Sequence, residues 1–179
     1  MLSLAIGTSG VAHAPTYSYT PEPDGRLHLF CGAVPGSWLY LGVMLSAAGS
    51  LRWLHDELCT GMSYDEINQR ASSVPAGSLG LLFAPYLTGE RNPHPDPYAR
   101  GAFVGLTLRH GLSHFIRSTM EGIAFGMRDQ VELLRDLGVS PAEAVVTGGA
   151  TNSPVWLQLT TDIMNVPLYT INTNEGSAF

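Results

Sequence analysis

The most informative absence from this sequence is lysine, because all nine basic residues among the 179 are arginine. The chain therefore has no lysine that could complete a P-loop, form a Schiff base or act as a general base. Cysteine is scarce as well: Cys31 and Cys59 are the only two, and they form no CxxC pair. This usage favours free thiols in a reducing compartment over a disulfide framework.

Long apolar runs and an excess of basic charge are also missing. No run approaches the ~20 residues of a membrane span, and the apolar start stops at Gly7, too early for a signal peptide. The net charge of -6 argues against nucleic acid or an anionic membrane as a partner. With 45% hydrophobic and 13% charged residues, the composition predicts a folded, cytoplasmic domain.

Strand and helix patterns alternate in the second half of the chain, which predicts an α/β domain with a mixed sheet. Near the start, two apolar strands around a glycine turn predict a β-hairpin. The leucine spacing over 40–58 predicts one helix, and Ser63 with Glu66 predicts a capping box for a second. The segment 112–137 is apolar on too many sides for a surface helix and is predicted to be buried.

A proline-rich segment, 85–105, is predicted to be an ordered loop rather than a helix. An ion pair between Glu90 and Arg91 is expected to hold this loop, and a catalytic role of the two residues is the alternative. His110 and His114 have the spacing of a zinc-binding helix, but Gly111 stands where the glutamate would be and a third ligand is not evident. We therefore predict no metal site here.

Two glycine turns are the candidate binding elements. Gly7-Thr8-Ser9-Gly10 offers backbone N–H groups that can approach a phosphate and two hydroxyl donors, although an ordinary hairpin turn fits the same residues. The turn 147–154 joins a strand to a helix, whose positive end favours a phosphate or a flat base. There Asn152 and Ser153 can hydrogen-bond an adenine edge or a ribose. A side chain at Gly149 should block the approach of a nucleotide, and it would also strain the turn if Gly149 has a positive φ. A capped helix that binds nothing is the alternative.

A segment of 21 residues, Gly101–Glu121, carries a specific family resemblance. It reads Gly101-Ala-Phe-Val-Gly-Leu, seven residues, His-Phe, two residues, and Ser-Thr-Met-Glu121, which is similar to the second signature of the FGGY carbohydrate kinases without a gap. The turn at Gly7 resembles the ATP-phosphate loop of that family. The Gly148-Gly149-Ala150 turn, with the residues that follow, resembles its adenosine loop.

Within the family, the segments 29–31, 35–38, 42–53 and 85–93 look like xylulokinases, whereas Gly32 departs from the histidine that is usual at its position. The resemblance implies an actin-like ATPase, or ribonuclease H-like, fold for 1–179. It also implies a nucleotide-binding C-terminal domain truncated at both ends, since the family continues past Glu175–Phe179. The N-terminal sugar-binding domain, with the catalytic base, is expected upstream of Met1. No catalytic residue and no metal ligand is therefore expected in this chain.

The activity implied by the resemblance is transfer of the γ-phosphoryl group of Mg-ATP to a pentulose, D-xylulose, by the parent enzyme; the fragment alone is expected to be inactive. Expected partners are ATP with Mg²⁺, the sugar, the N-terminal domain and, as an open option, a second copy in a homodimer. A ribulose or gluconate kinase and a non-catalytic ATPase-like binding module are the alternatives. The residues implied to bind ATP are Thr8, Ser9, Ala48, Arg52, Gly148, Gly149, Ala150, Asn152 and Ser153.

Overall fold

The computed structural model describes residues 1–171. In chain order the elements are β1 (Leu2–Ile6), β2 (Gly10–Thr16), β3 (His28–Cys31), β4 (Trp38–Met44), α1 (Ala48–Leu58), α2 (Tyr64–Ser72), β5 (Leu82–Ala84), β6 (Ala102–Val104), α3 (Leu112–Asp136), β7 (Ala144–Thr147), α4 (Pro154–Met164) and β8 (Leu168–Thr170). Short 3-10 turns lie at Ser78–Gly80 and Gly149–Asn152. The segment Glu175–Phe179, which contributed to the resemblance, lies outside the described residues.

The main sheet has six strands in the order β3-β4-β2-β1-β7-β8. Strands β3, β4, β2 and β1 pair antiparallel, whereas β1, β7 and β8 pair parallel. Strand β1 is therefore the boundary between an antiparallel half and a parallel half. Because β1 and β7 run the same way, the two glycine turns that follow them meet at one edge of the sheet.

One face of the sheet and the long helix α3 form the core. Alternate residues of β1, namely Leu2, Leu4 and Ile6, are at most 1% exposed, as expected for a strand with one covered face. Helix α3 packs against the sheet and against α1, α2 and α4. Its fully buried residues follow helical spacing, and burial of each contributes about 1.5–3 kcal/mol: Ile116, Met120, Ile123, Met127 and Val131.

The prediction of one helix over 40–58 is wrong in its first part. Strand β4 occupies Trp38–Met44, with Tyr40, Gly42 and Met44 buried and Leu41 and Val43 partly exposed. The helix begins only at Ala48. Leu41 and Leu45 fit a helical repeat by coincidence, and they concealed the alternation of period two. Pairing with β2 and β3 on both sides decides the conformation.

Other predicted elements are confirmed. The hairpin β1–β2 is present, and Ser63 and Glu66 form the reciprocal capping box of α2. Helix α3 runs over Leu112–Asp136 as a largely buried helix. Among the described helices, none is long and apolar enough to cross a membrane.

The proline-rich loop is held by Glu90, but not through Arg91 as an ion pair. Glu90 is 5% exposed, and its carboxylate accepts backbone N–H groups from Leu45 at 2.9 Å and from Arg91 at 2.7 Å. Burial raises its pKa, which those hydrogen bonds partly offset. The neighbouring Asn92 accepts the Val43 N–H at 2.8 Å. The loop thus supplies hydrogen-bond acceptors to backbone N–H groups in and just after β4. An exposed arginine side chain, which only donates, could not do this. A short strand inside it, β6, was not predicted.

Candidate functional site

A cavity of about 430 Å³ lies between the first turns of α1, α2 and α4. We call it the α1–α4 cavity. Five of the nine residues predicted to bind ATP line it, namely Ala48, Arg52, Gly149, Asn152 and Ser153. The remaining lining residues are Leu51, Tyr64, Asp65, Asn68 and Trp156.

Gly148–Ser153 form one side of the cavity, the glycine wall. Gly148 has φ +97° and ψ -178°, a conformation that is essentially restricted to glycine. A Cβ on Gly148 would lie 2.5 Å from the Ile6 carbonyl oxygen, whereas a Cβ on Gly149 would meet nothing within 4 Å. Gly149 itself has no positive φ, so a side chain there would not strain the turn. The positive φ belongs to Gly148, which has to pass against the end of β1.

The glycine wall leads directly into α4. Thr151 closes the 3-10 turn by donating its N–H and its hydroxyl to the Gly148 carbonyl, at 3.0 and 2.8 Å. Ser153 is the N-cap of α4, because its Oγ accepts the Trp156 N–H at 3.1 Å, and Pro154 occupies the first helical position. The positive end of the α4 dipole is consequently located at the cavity.

The tip of the β1–β2 hairpin caps α1 with backbone carbonyls. The Gly7 carbonyl accepts the Ala48 N–H at 2.8 Å, and the Thr8 carbonyl accepts those of Ala47 and Gly49 at 2.9 and 3.1 Å. This contact explains why α1 begins without a side-chain cap. It also places the tip beside Ala48 and hence beside the cavity.

Thr8 and Ser9 do not line the cavity, but their donors remain available. In residues 1–171 we find no acceptor for their backbone N–H groups or hydroxyls, and Thr8 is exposed. An exposed turn with free N–H and O–H donors, next to a helix start, can bind an anion.

The other two predicted residues that do not line the cavity are Gly148 and Ala150. Gly148 sits behind Gly149, against β1. The Ala150 side chain is 1% exposed and belongs to the core. Both shape the glycine wall from behind.

Residues of α1 and α2 form the opposite side, the helical wall, and sequence reasoning found only part of it. Leu51 lies three residues after Ala48 on α1, and Trp156, across the cavity, lies three residues after Ser153. Helical spacing could therefore have indicated both residues. Tyr64, Asp65 and Asn68 of α2 carry no such signal.

The ring of Tyr64 stacks on His55, with centroids 4.8 Å apart and an interplanar angle of 10°. His55 is itself fixed, since its Nδ1 lies 2.7 Å from the Asp56 carboxylate and its Nε2 lies 2.8 Å from the Met62 carbonyl. Both ring nitrogens face acceptors, so these two hydrogen bonds raise the pKa of His55. The protonated imidazole, which donates twice, is the form that this arrangement favours.

Acidic and metal-binding side chains do not gather at this site. Across the part of the chain that the structure describes, no group of three or more His, Cys, Asp or Glu side chains could hold a metal ion. His110 and His114 have local partners: their Nδ1 atoms accept the N–H groups of Thr107 at 2.9 Å and Gly111 at 3.1 Å.

Comparison with known proteins defines the class. Residues 2–179 match the FGGY family of carbohydrate kinases, C-terminal domain, and the chain belongs to this family. The actin-like ATPase, or ribonuclease H-like, fold expected from the sequence is confirmed by structures of the same family.

Among its relatives, a xylulose kinase of Staphylococcus epidermidis is 39% identical over 172 residues, covering 96% of this chain and 35% of that protein. A gluconokinase of Bacillus subtilis is 32% identical, covering 98% of this chain and 36% of that protein. The crystal structure of a ligand-bound xylulose kinase from Lactobacillus acidophilus superposes with a TM-score of 0.91 at 31% identity, covering 97% of this chain and 35% of that one. This chain thus spans about a third of these relatives.

Proposed function

We propose that this chain is the ATP-binding domain of a sugar kinase that phosphorylates a pentulose, D-xylulose, to D-xylulose 5-phosphate. The observation that carries the proposal is the α1–α4 cavity. Five residues expected to bind ATP line one cavity of about 430 Å³ at the start of α4, beside a hairpin tip with free donors. The xylulose kinase of Staphylococcus epidermidis supports the choice of sugar.

The residues fit adenosine in the cavity and phosphates at the hairpin tip. Gly149 leaves open space where a side chain would stand, which suits a flat base. Arg52 and Asn152 supply polar groups at the rim. Thr8 and Ser9 offer four neutral donors toward phosphate oxygens. Phosphoryl transfer depends chiefly on such positioning and on charge stabilisation.

The chemical step needs groups beyond those described. We assign to the N-terminal domain the sugar site, the base that accepts the proton of the sugar hydroxyl and most of the protein ligands of Mg²⁺. Mg²⁺, when bound, would neutralise charge on the β- and γ-phosphates. The chain as given is expected to have no sugar-kinase activity, and turnover of xylulose near 1 s⁻¹ in a coupled assay would contradict this.

Without lobe closure, this chain should bind ADP about as well as ATP. Calorimetry on monodisperse protein tests the expectation, and an affinity for ATP more than tenfold higher would show that this domain reads the γ-phosphate unaided.

A gluconate kinase is the second candidate, favoured by the relative named gluconokinase at 32% identity. A ribulose kinase and a non-catalytic ATPase-like binding module remain alternatives. The parent enzyme is assigned to the cytoplasm, with a homodimer as an open part of the proposal. Both Cys31 and Cys59 are free thiols, which suits a reducing compartment.

The decisive experiment is calorimetric titration of ADP into the chain and its Gly149→Val variant. Valine fills space in the cavity where a Cβ meets no atom, so ADP affinity should fall at least tenfold while the urea midpoint changes little. Gly111→Val is the matched control, because Gly111 also has open space around its Cβ position but does not line the cavity. Equal ADP affinity in wild type and Gly149→Val would refute the assignment.

A further inference from the structure

Ser153 was expected to contact the nucleotide, yet its hydroxyl is already engaged within the protein. The Oγ accepts the Trp156 N–H at 3.1 Å and lies 2.7 Å from the Asn68 Oδ1. Ser153 is only 7% exposed. A hydroxyl has a single proton, and here that proton is donated to Asn68. Ser153 therefore has no donor left to offer a ligand.

This bond also decides which way the Asn68 amide faces. Were the amide reversed, its Nδ2 would donate to the Ser153 Oγ, and the hydroxyl proton would lose its acceptor. The orientation with Oδ1 toward Ser153 satisfies both groups, which is the basis on which such amides are assigned. The Nδ2 group, with two protons, is then directed away from Ser153.

The Nδ2 group of Asn68 has no acceptor in the described part of the chain, whereas the residue lines the α1–α4 cavity. Three residues earlier on α2, Asp65 also lines the cavity, and as a carboxylate it can only accept. The helical wall thus presents a donor at Asn68 and an acceptor at Asp65. A donor held in place by a second side chain is a means of discriminating between ligands, because a ligand without the matching acceptor leaves it unpaired.

We propose that Asn68 is a specificity-determining residue, which donates from Nδ2 to an acceptor on the nucleoside part of ATP, and that Ser153 is its positioning residue. This inference rests on the proposed function. The acceptor is either a purine ring nitrogen or a ribose oxygen, since both are neutral acceptors within a nucleoside.

Asn68→Asp tests the donor selectively. Aspartate keeps an oxygen to accept the Ser153 proton, but it replaces the NH₂ group with an acceptor. Titration calorimetry should show ADP binding weakened about tenfold or more, since loss of a hydrogen bond is combined with repulsion between acceptors. The urea midpoint should stay within error. Gln69→Glu is the matched control, because it makes the same amide-to-acid change on an exposed neighbouring residue of α2 outside the cavity lining.

Ligand analogues identify the acceptor. Suppose that a ring nitrogen is the acceptor. One of 1-deaza-, 3-deaza- and 7-deaza-ADP should then bind wild type about as weakly as ADP binds the Asn68→Asp variant. The same analogue should bind wild type and Asn68→Asp with equal affinity. If a ribose oxygen accepts, 2′-deoxy- or 3′-deoxy-ADP should behave this way instead. The inference would be overturned if every analogue lost the same affinity relative to ADP, and lost it equally in wild type and in Asn68→Asp.

Ser153 is tested by the same analogue series. Ser153→Ala should reduce the preference for ADP over the identified analogue, and Ser153→Thr should restore it. In the Asn68→Asp background, Ser153→Ala should leave ADP affinity unchanged, which a purely structural role of the cap would not produce. If Gly149→Val weakens ADP binding but Asn68→Asp does not, the inference fails and the proposed function stands. If wild type binds no ADP, both fail.

Discussion

The two sides of the α1–α4 cavity are built in different ways. The glycine wall, Gly148–Ser153, is a backbone surface, in which a residue without Cβ passes the end of β1. The helical wall is a side-chain surface, contributed by α1 and α2. Substitutions in the glycine wall should therefore change the free energy of unfolding, whereas substitutions in the helical wall should mainly change the affinity for the nucleotide. Four substitutions test that contrast.

The largest effect is expected for Gly148→Ala. Its φ and ψ are essentially restricted to glycine, which costs about 1–3 kcal/mol for another residue, and the new Cβ would lie 2.5 Å from the Ile6 carbonyl oxygen. We expect a loss of at least about 3 kcal/mol in the free energy of unfolding, measured by urea denaturation. Gly149→Ala is the control, with a change within about 0.5 kcal/mol. Similar losses in both variants would remove the distinction between Gly148 and its neighbour.

Gly49→Ala should have the next largest effect, because Gly49 lies where the hairpin tip meets α1. A Cβ there would be 2.9 Å from the Thr8 carbonyl oxygen, and such overpacking costs about 1–3 kcal/mol. Alanine recovers up to about 1 kcal/mol of helix propensity, so the net loss should be about 1 kcal/mol. Glu57→Ala, exposed on the same helix, is the comparison in thermal or urea unfolding. If Gly49→Ala were more stable than wild type, the tip of the β1–β2 hairpin would be shown to move away from α1 without cost.

Arg52→Ala examines the helical wall. Arg52 is exposed and lines the cavity, so its removal should weaken ADP binding about three- to tenfold, as expected for one hydrogen bond. The free energy of unfolding should change by less than about 0.5 kcal/mol. Arg109→Ala removes the same charge from an exposed site outside the cavity and should leave binding unchanged. A large decrease in the free energy of unfolding of Arg52→Ala would contradict the expectation that the helical wall affects mainly binding.

The smallest effect concerns His55, whose stacking supports Tyr64 from behind. Its pKa is raised in the folded protein, first by the hydrogen bond to Asp56 and then by that to Met62. Folding therefore gains stability from His55 below its unfolded pKa of about 6.5, and this gain is lost as the pH rises through the folded pKa.

Urea denaturation of wild type and His55→Phe measures this contribution. The wild-type advantage should be larger at pH 5.5 than at pH 8.5, with a difference below about 1 kcal/mol because the site is partly exposed. An advantage that grows with pH would show that the neutral imidazole is the favoured form.

The same contrast explains what the sequence could predict. The sequence alone indicates the role of Gly148, Gly149 and Ser153, because two glycines and a capping serine have few other uses at a strand-to-helix turn. Asn68 is an ordinary polar residue on a helix, and its contact with Ser153 spans 85 positions. That contact depends on how α2 packs against α4, which no local pattern encodes. Strand β4 was misread for a related reason, because it lies between β3 and the more distant β2, where Gly10 pairs with Met44.

The pairing of β1 with β7 has a consequence for how the protein folds. Leu2 pairs with Ala144, so the parallel edge of β1 has no partner until Ala144 and its neighbours have been synthesised. Contacts of such high sequence separation tend to form late, after the loop-closure entropy has been overcome. A ligand that contacts both glycine turns would then stabilise interactions absent from the transition state. ADP should accordingly slow unfolding in kinetic experiments while leaving the refolding rate nearly unchanged.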